Sequence, residues 1–245
     1  MKTLLRAVID ASGLSRRKAF AAIREGRVAV SGEARTDPSA TFEDGVLTLD
    51  GASLTAPQAA KTYLLLNKPP GFITTKSDER GRRTVLDLVP QGLRASGLHP
   101  VGRLDRDTSG LLLLTDDGDF TFALTHPSHE VEKEYWLRLA EPPADEQLAR
   151  LRGGVEIDGE LRRPLRIRRL VENAQFELSI TIREGRRRQV RRLFEAVGAK
   201  VVLLRRVREG SLDLGSLVEG AVRELTAAEV ASLLGRGAEA SPQVR

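Results

Sequence analysis

From residue 62 onward the apolar residues of this chain fall in short runs bounded by glycine and proline, and that punctuation limits the folds open to it. Short apolar or alternating runs between turn signals read as strands. Tyr63 to Leu66 is one, stopped at Lys68-Pro69-Pro70-Gly71 because proline cannot donate to a ladder and glycine permits the turn. Val131 to Leu139 is another, and Phe176 to Ile182 alternates strictly at Phe176, Leu178, Ile180 and Ile182. Helical spacing appears at Val190, Leu193, Phe194 and Val197, with Gly198 as the stop, and Thr226 with Glu229 forms a capping box that opens a last helix. Strands outnumber helices without alternating with them, which predicts an α+β fold over a doubly wound sheet.

The first 49 residues follow another pattern. Leu4, Leu5, Val8 and Ile9 recur at helical spacing, Ser15 offers an N-cap, and Ala19, Phe20 and Ile23 form a second stripe that ends at Gly26. Val28 to Val30, the turn Ser31-Gly32 and Val46 to Leu49 complete a helix-helix-strand module over residues 1–49. Asp50 to Lys61, rich in alanine and containing Pro57, reads as a linker to a second domain over residues 62–236, and residues 237–245 read as a disordered tail.

Charge separates these regions further. The chain holds 39 basic and 34 acidic side chains, a net charge of +5, and no cysteine. Residues 1–30 carry +5 and residues 183–208 carry +8, so the remainder sums to −8. Two basic islands on an acidic background point to a polyanion, with nucleic acid the leading class. In the first island Arg16, Arg17, Lys18, Arg24 and Arg27 lie on or beside the second helix, largely away from its apolar stripe. Absence of cysteine excludes a disulfide scaffold, a thiolate nucleophile and a Cys-bound metal. Apolar runs such as Leu111 to Leu114 fall far short of the roughly 20 residues of a membrane span, so a cytoplasmic protein is expected.

The chemistry concentrates in the polar loop Gly102-Arg103-Leu104-Asp105-Arg106-Asp107-Thr108-Ser109-Gly110, followed by the strand Leu111 to Thr115 and the turn Asp116 to Asp119. A carboxylate among guanidinium groups stays ionised, which suits a nucleophile and not a general acid. Asp105, Asp107, Ser109, Gly110 and Asp116 also fall at positions 1, 3, 5, 6 and 12 of an EF-hand pattern. Gly97, Pro100 and Gly102 break the helix that such a loop needs before it, and an arginine at position 2 repels a cation. His126 and His129 flank Pro127 and match no zinc motif, so they read as loop or capping residues and no metal is expected.

The same loop resembles the signature of the RsuA family of ribosomal RNA pseudouridine synthases, G-R-L-D-x-[DN]-[TS]-x-G followed by L-L-L-x-T-x-D-G. Lys68-Pro69-Pro70-Gly71 resembles the family's K-P-x-G segment, Glu132-Lys133-Glu134-Tyr135 its E-K-x-Y strand, and Glu184 to Arg192 its E-G-R-x-x-Q-V-R-R segment. Arg188 stands where relatives often have His or Asn. The N-terminal module resembles the S4 RNA-binding domain.

The resemblance implies isomerisation of uridine to pseudouridine in structured ribosomal RNA by a monomer, with no metal and no cofactor, in a domain built on a mixed, largely antiparallel sheet. Asp105 is then the catalytic carboxylate, acting by attack at ribose C1′ or by removing a ribose proton. Tyr135 would stack on the base and accept the C5 proton, and Arg191 would pair with Asp105. Arg103, Leu104 and Leu204 would line the pocket, while Arg186, Arg187, Arg188 and Arg192 would contact RNA beside it. Thr84 to Pro90 and Leu124 to Pro127 look closer to the large-subunit enzymes. A small-subunit enzyme and a non-catalytic RNA-binding assembly factor are the rival readings.

Overall fold

The computed structural model describes residues 2–54, 61–171 and 173–235, in two units: residues up to 61 together with 95–97, and the rest. In the first unit a two-residue strand β1 (Lys2–Thr3) leads into α1 (Leu4–Ser12) and α2 (Arg16–Arg24). The side chains of Thr3 and Ser15 cap these helices, accepting from the N–H groups of Arg6 and Lys18. There follow β2 (Val28–Val30), β3 (Glu33–Ala34), β4 (Thr41–Phe42), β5 (Leu47–Leu49) and β6 (Ala52–Ser53), with β1 paired to β4 and a sheet in the order β3-β2-β5-β6.

Leu4, Leu5 and Val8 pack against Ala19, Ala22, Ile23, Val28 and Leu47. Phe20, expected in that stripe, is 48% exposed. It sits one residue from Ala19, about 100° round the helix, outside the arc held by Ala19, Ala22 and Ile23.

The expected linker also begins later than the sequence suggested. Asp50 and Gly51 have φ of 52° and 80°, the geometry of a tight hairpin turn, and they fold Ala52–Ser53 back onto β5. Leu54 still donates to the carbonyl of Leu47. The signal was the Asp-Gly pair, obscured because Ala and Ser are poor strand formers. The rest of the expected linker, residues 55–60, and the expected tail lie outside the described residues.

The second unit runs β7 (Tyr63–Lys68), β8 (His99–Val101), β9 (Ser109–Thr115), α3 (Gly118–Thr125), β10 (Lys133–Leu139), α4 (Asp145–Gly153), β11 (Val155–Ile157), β12 (Glu160–Arg162), β13 (Arg166–Arg169), β14 (Leu178–Ile182), α5 (Gln189–Glu195), β15 (Val201–Glu209), β16 (Leu212–Asp213), β17 (Val222–Glu224) and α6 (Ala227–Leu233). A nine-stranded sheet has the order β13-β14-β10-β15-β9-β7-β17, with β8 beside β9 and β16 beside β15. Strand pairs within this sheet are antiparallel except β15 with β9, where Arg205 and Arg206 run parallel to Ser109 and Gly110. The expected α+β class and largely antiparallel sheet are found.

That parallel pair is a seam between two antiparallel halves. Gly110 makes it possible: at φ 102° its absent Cβ would lie 2.1 Å from the carbonyl oxygen of Arg206. The leucine run Leu111 to Leu114 is continuous because β9 is buried on both faces. Leu112 and Leu114 join Leu66, Leu137, Ile180, Leu193 and Phe194 on one side; Leu111 and Leu113 join Leu65, Phe120 and Leu124 on the other.

The expected turn at Asp116–Asp119 instead opens α3, with Asp117 accepting from the N–H groups of Asp119 and Phe120. The glycine that suggested a turn occupies the first helical position. His126 caps the short turn Pro127–His129. The capping box of Thr226 and Glu229 is in place, and Arg223 clamps Glu229 at 2.9 and 2.6 Å.

Candidate active site

The loop that carries Asp105 leaves β8 and enters β9 at the seam, so strands and not helices flank it. Its backbone is fixed from two directions. Thr74 Oγ1 donates to the Leu104 carbonyl at 2.7 Å and accepts from the Leu104 N–H at 3.3 Å. Lys68, fully buried at the end of β7, donates from Nζ to the carbonyls of Thr108 (2.8 Å), Pro69 (3.1 Å), Asp105 (3.2 Å) and Arg106 (3.4 Å). Burial pulls the Lys68 ammonium down to about 8, with Asp107 and Asp105 opposing. The sequence marked this lysine as the stop of a strand and as part of the segment resembling K-P-x-G, without giving it a role. A lone cation closing an otherwise apolar strand was the available signal, because such a charge must find carbonyls or a carboxylate.

Asp105 itself is half-buried, and its carboxylate has no hydrogen-bond or ion-pair partner among the described residues. Its charge is nevertheless felt by Lys68, Tyr135 and Arg191. The expected pair between Arg191 and Asp105 is replaced by one with Asp107, at 3.0 Å from Nη2 to Oδ2. Arg191 also donates to the carbonyls of Val201 (2.8 Å) and Asp107 (3.3 Å), while Arg188 approaches Asp107 at 3.5 Å. Burial lowers the Arg191 pKa and Asp107 opposes it. Asp107 wins this arginine because it sits against the first turn of α5, where two guanidinium groups converge. Arg191 thus ties the loop to α5 and leaves the Asp105 carboxylate available.

Tyr135 lies on β10 opposite Arg206 of β15 and opposite Ile180 of β14. It is 7% exposed and packs in one core with Leu104, Val190 and Leu204. Burial raises its hydroxyl pKa, and the positive charge of Arg206 opposes that. Arg206 is buried with Glu209, 3.1 Å away in an ion pair whose alignment keeps it from being a hydrogen bond. Lys133 approaches Glu209 at 3.8 Å. Burial works against the Arg206 charge, but Glu209 and Tyr135 outweigh it and its pKa moves up. Arg206 also donates from Nε to the Leu111 carbonyl at 2.8 Å, joining β15, the neighbour of the tyrosine's strand, to β9, which follows the Asp105 loop. Neither Arg206 nor Glu209 was singled out from the sequence, where they are two of many charges in a basic run.

The expected RNA-contacting residues divide. Arg16, Arg17, Lys18 and Arg24 are exposed on α2, Arg103 is exposed beside Asp105, and Arg187 is exposed before α5. Arg27 is instead clamped by Asp50 at 2.8 and 2.6 Å and by Glu25 at 3.2 Å. Arg192 holds Asp158 at 2.7 and 2.5 Å, and Arg186 lies 3.3 Å from Glu160 and 3.4 Å from Glu184. These three serve first as internal ties, Arg27 and Arg192 through a bidentate carboxylate and Arg186 between two carboxylates, partners that sequence position alone does not reveal.

The loop that carries the free Asp105 carboxylate, and Tyr135 and Arg191 with it, all fall inside one segment that a known family matches. The sequence model of the family described as RNA pseudouridylate synthase matches residues 62–196. The ribosomal large subunit pseudouridine synthase B of Bacillus subtilis (strain 168) is 38% identical over 239 residues, covering 95% of this chain and 96% of that protein. The ribosomal small subunit pseudouridine synthase A of Salmonella typhimurium is 38% identical over 227 residues, covering 90% and 95%. A crystal structure of a pseudouridylate synthase superposes with a TM-score of 0.65 at 34% identity, covering 95% of this chain and 100% of that one. With the signature loop, its supports and this coverage in agreement, the chain belongs to the RNA pseudouridylate synthase family, in its RsuA-like group.

Proposed function

We propose that this RNA pseudouridine synthase modifies ribosomal RNA of the large subunit, with Asp105 acting at the ribose of an extruded uridine. The reaction breaks the bond from uracil N1 to ribose C1′, turns the base while it is held, and joins C5 to C1′. It calls for an anion near C1′, a surface against the base and an acceptor for the C5 proton. The half-buried Asp105 carboxylate, unpaired among the described residues on a loop fixed by Lys68, Thr74 and Arg191, is the observation that carries the reading. Such a group attacks C1′ or removes a ribose proton; the first route parallels the carboxylate of retaining glycosidases.

Tyr135 offers a ring against the base and an oxygen for the C5 proton. Leu104 and Leu204 close the apolar side. Extruding the uridine costs about a few kcal/mol, which phosphate contacts from Arg103, Arg187 and Arg188 and from α2 of an S4-like first unit offset. The Bacillus relative supports the large-subunit target. We read the protein as acting as a cytoplasmic monomer; separately, no helix among the described residues is long and apolar enough to cross a membrane.

Asp105→Asn is expected to lower pseudouridine formation by at least about 10³-fold while RNA still binds, because the substitution keeps shape and removes charge. Normal yield from this variant would sink the assignment. Pseudouridine mapping in cells with and without the protein tests the target: a site lost from small-subunit RNA alone overturns the large-subunit part.

A further inference from the structure

Strand register lays a row of side chains across the sheet: Arg168 of β13, Ser179 of β14, Trp136 of β10 and Arg205 of β15. The next row holds Arg166, Thr181, Glu134 and Arg208. Because successive strand residues face opposite sides, Trp136 and Arg205 stand on the face away from Tyr135 and Arg206. Arg138, two residues beyond Trp136, shares their face. Arg138, Arg166 and Arg168 are exposed, and Trp136 and Arg205 are half-buried.

The charge on this face is largely uncompensated. Glu134 is engaged by Ser179 at 2.6 Å and by Arg208 at 3.3 Å, and it also feels the charge of Arg168, though no ion pair joins them. Arg138, Arg166, Arg168 and Arg205 have no ion-pair partner among the described residues, in contrast to Arg27, Arg186 and Arg192. The Nε of Arg205 is buried without a hydrogen-bond partner. An indole in contact with the Phe176 ring and set among four guanidinium groups outside any ion pair of the described residues, on a sheet face about 14 Å across from Arg168 to Arg205, offers stacking and phosphate contacts together.

We propose that this face is a second RNA-contact surface, in which Arg138, Arg166, Arg168 and Arg205 take phosphates and Trp136 stacks on an unpaired base. It rests on the reading of the chain as an enzyme of ribosomal RNA, and extends it to a part of the substrate distant from the reacting uridine. Charge complementarity favours nucleic acid, and the aromatic at its centre suits a base, since every base has a face to stack.

Trp136 is the only tryptophan, so intrinsic fluorescence reads this surface directly. Titration of the full chain with protein-free large-subunit ribosomal RNA is expected to quench Trp136 and shield it from acrylamide. The double variant Arg166→Gln/Arg168→Gln, with an unchanged unfolding midpoint, is expected to bind more weakly and to raise KM more than it alters kcat. Its slope of log affinity against log salt should fall by about 1.4 to 1.8, for two lost phosphate contacts. An unchanged slope and affinity, or emission that RNA leaves untouched at saturation, overturns the proposal, as does a response to polyglutamate and not to RNA. Were the wild-type chain to make no pseudouridine while these binding responses persisted, the enzymatic reading would fall and the surface would stand.

Discussion

Tyr135 and Trp136 are neighbours on one strand, yet they belong to two different electrostatic regimes. On the side of Tyr135 the charges are buried and matched: Arg206 and Glu209 pair at 3.1 Å with Lys133 near. On the side of Trp136 four arginines stand outside any ion pair among the described residues, although Glu134 feels the charge of one of them, Arg168. Burying a charge is tolerable only when it is paired or hydrogen-bonded, whereas a guanidinium in water needs neither. Full burial therefore requires a partner, as at Arg206, whereas arginines that reach solvent are tied in some places, as at Arg27, Arg186 and Arg192, and untied in others, as at Arg166 and Arg168. The alternation of a strand lets one segment hold fixed charges beside Tyr135 on one face and adaptable charges on the other.

The harshest test attacks the seam beneath both faces. Gly110→Ala would place a methyl group 2.1 Å from the Arg206 carbonyl, at a φ of 102°. A loss above about 4 kcal/mol, or failure to fold, is expected, and an unchanged urea midpoint would show that the close approach is dispensable.

Next, Glu209→Gln leaves Arg206 buried beside a neutral amide and should cost about 3 to 5 kcal/mol. Glu134→Gln on the open face should cost about 1 kcal/mol or less, since its partner Arg208 remains partly solvated. Equal losses in denaturant titrations would erase the distinction between the faces.

The mildest test is by pH. Lys68 titrates near 8 in the folded protein, below its ordinary 10.5. Between these values the unfolded chain binds more protons, so this group makes stability rise with pH in that window and leaves it flat below. The same deprotonation removes one donor from the cluster of carbonyls that holds the Asp105 loop. Turnover should then decline above about pH 8 while stability gains. Lys68→Met should abolish both trends, and a variant that retains the wild-type alkaline decline would relieve Lys68 of this role.

Much of the architecture was legible in the order of residues. The caps at Ser15 and Thr226, the stops at Pro69 and Gly198, and the helix bearing Val190, Leu193 and Phe194 all depend on neighbours within a turn or two. β10 and β14 each begin two residues later than their apolar patterns, at Lys133 and Leu178. The turn read at Asp116–Asp119 and the linker read from Asp50 missed a helix start and a hairpin. In both places glycine served regular structure where its presence alone suggested a break.

The sequence by itself determined many of the local elements and the polar loop around Asp105, because these follow from torsional preference and side-chain type over short distances, while the chemistry came from the resemblance of that loop to a family signature. Tertiary structure decided which carboxylate takes Arg191, that Arg27, Arg186 and Arg192 are internal ties, that Lys68 clamps the Asp105 loop, and which face each arginine of β15 joins. Those outcomes depend on distance and solvent between segments far apart in the chain. An arginine carries the same charge wherever it stands, and only the folded geometry fixes what that charge meets.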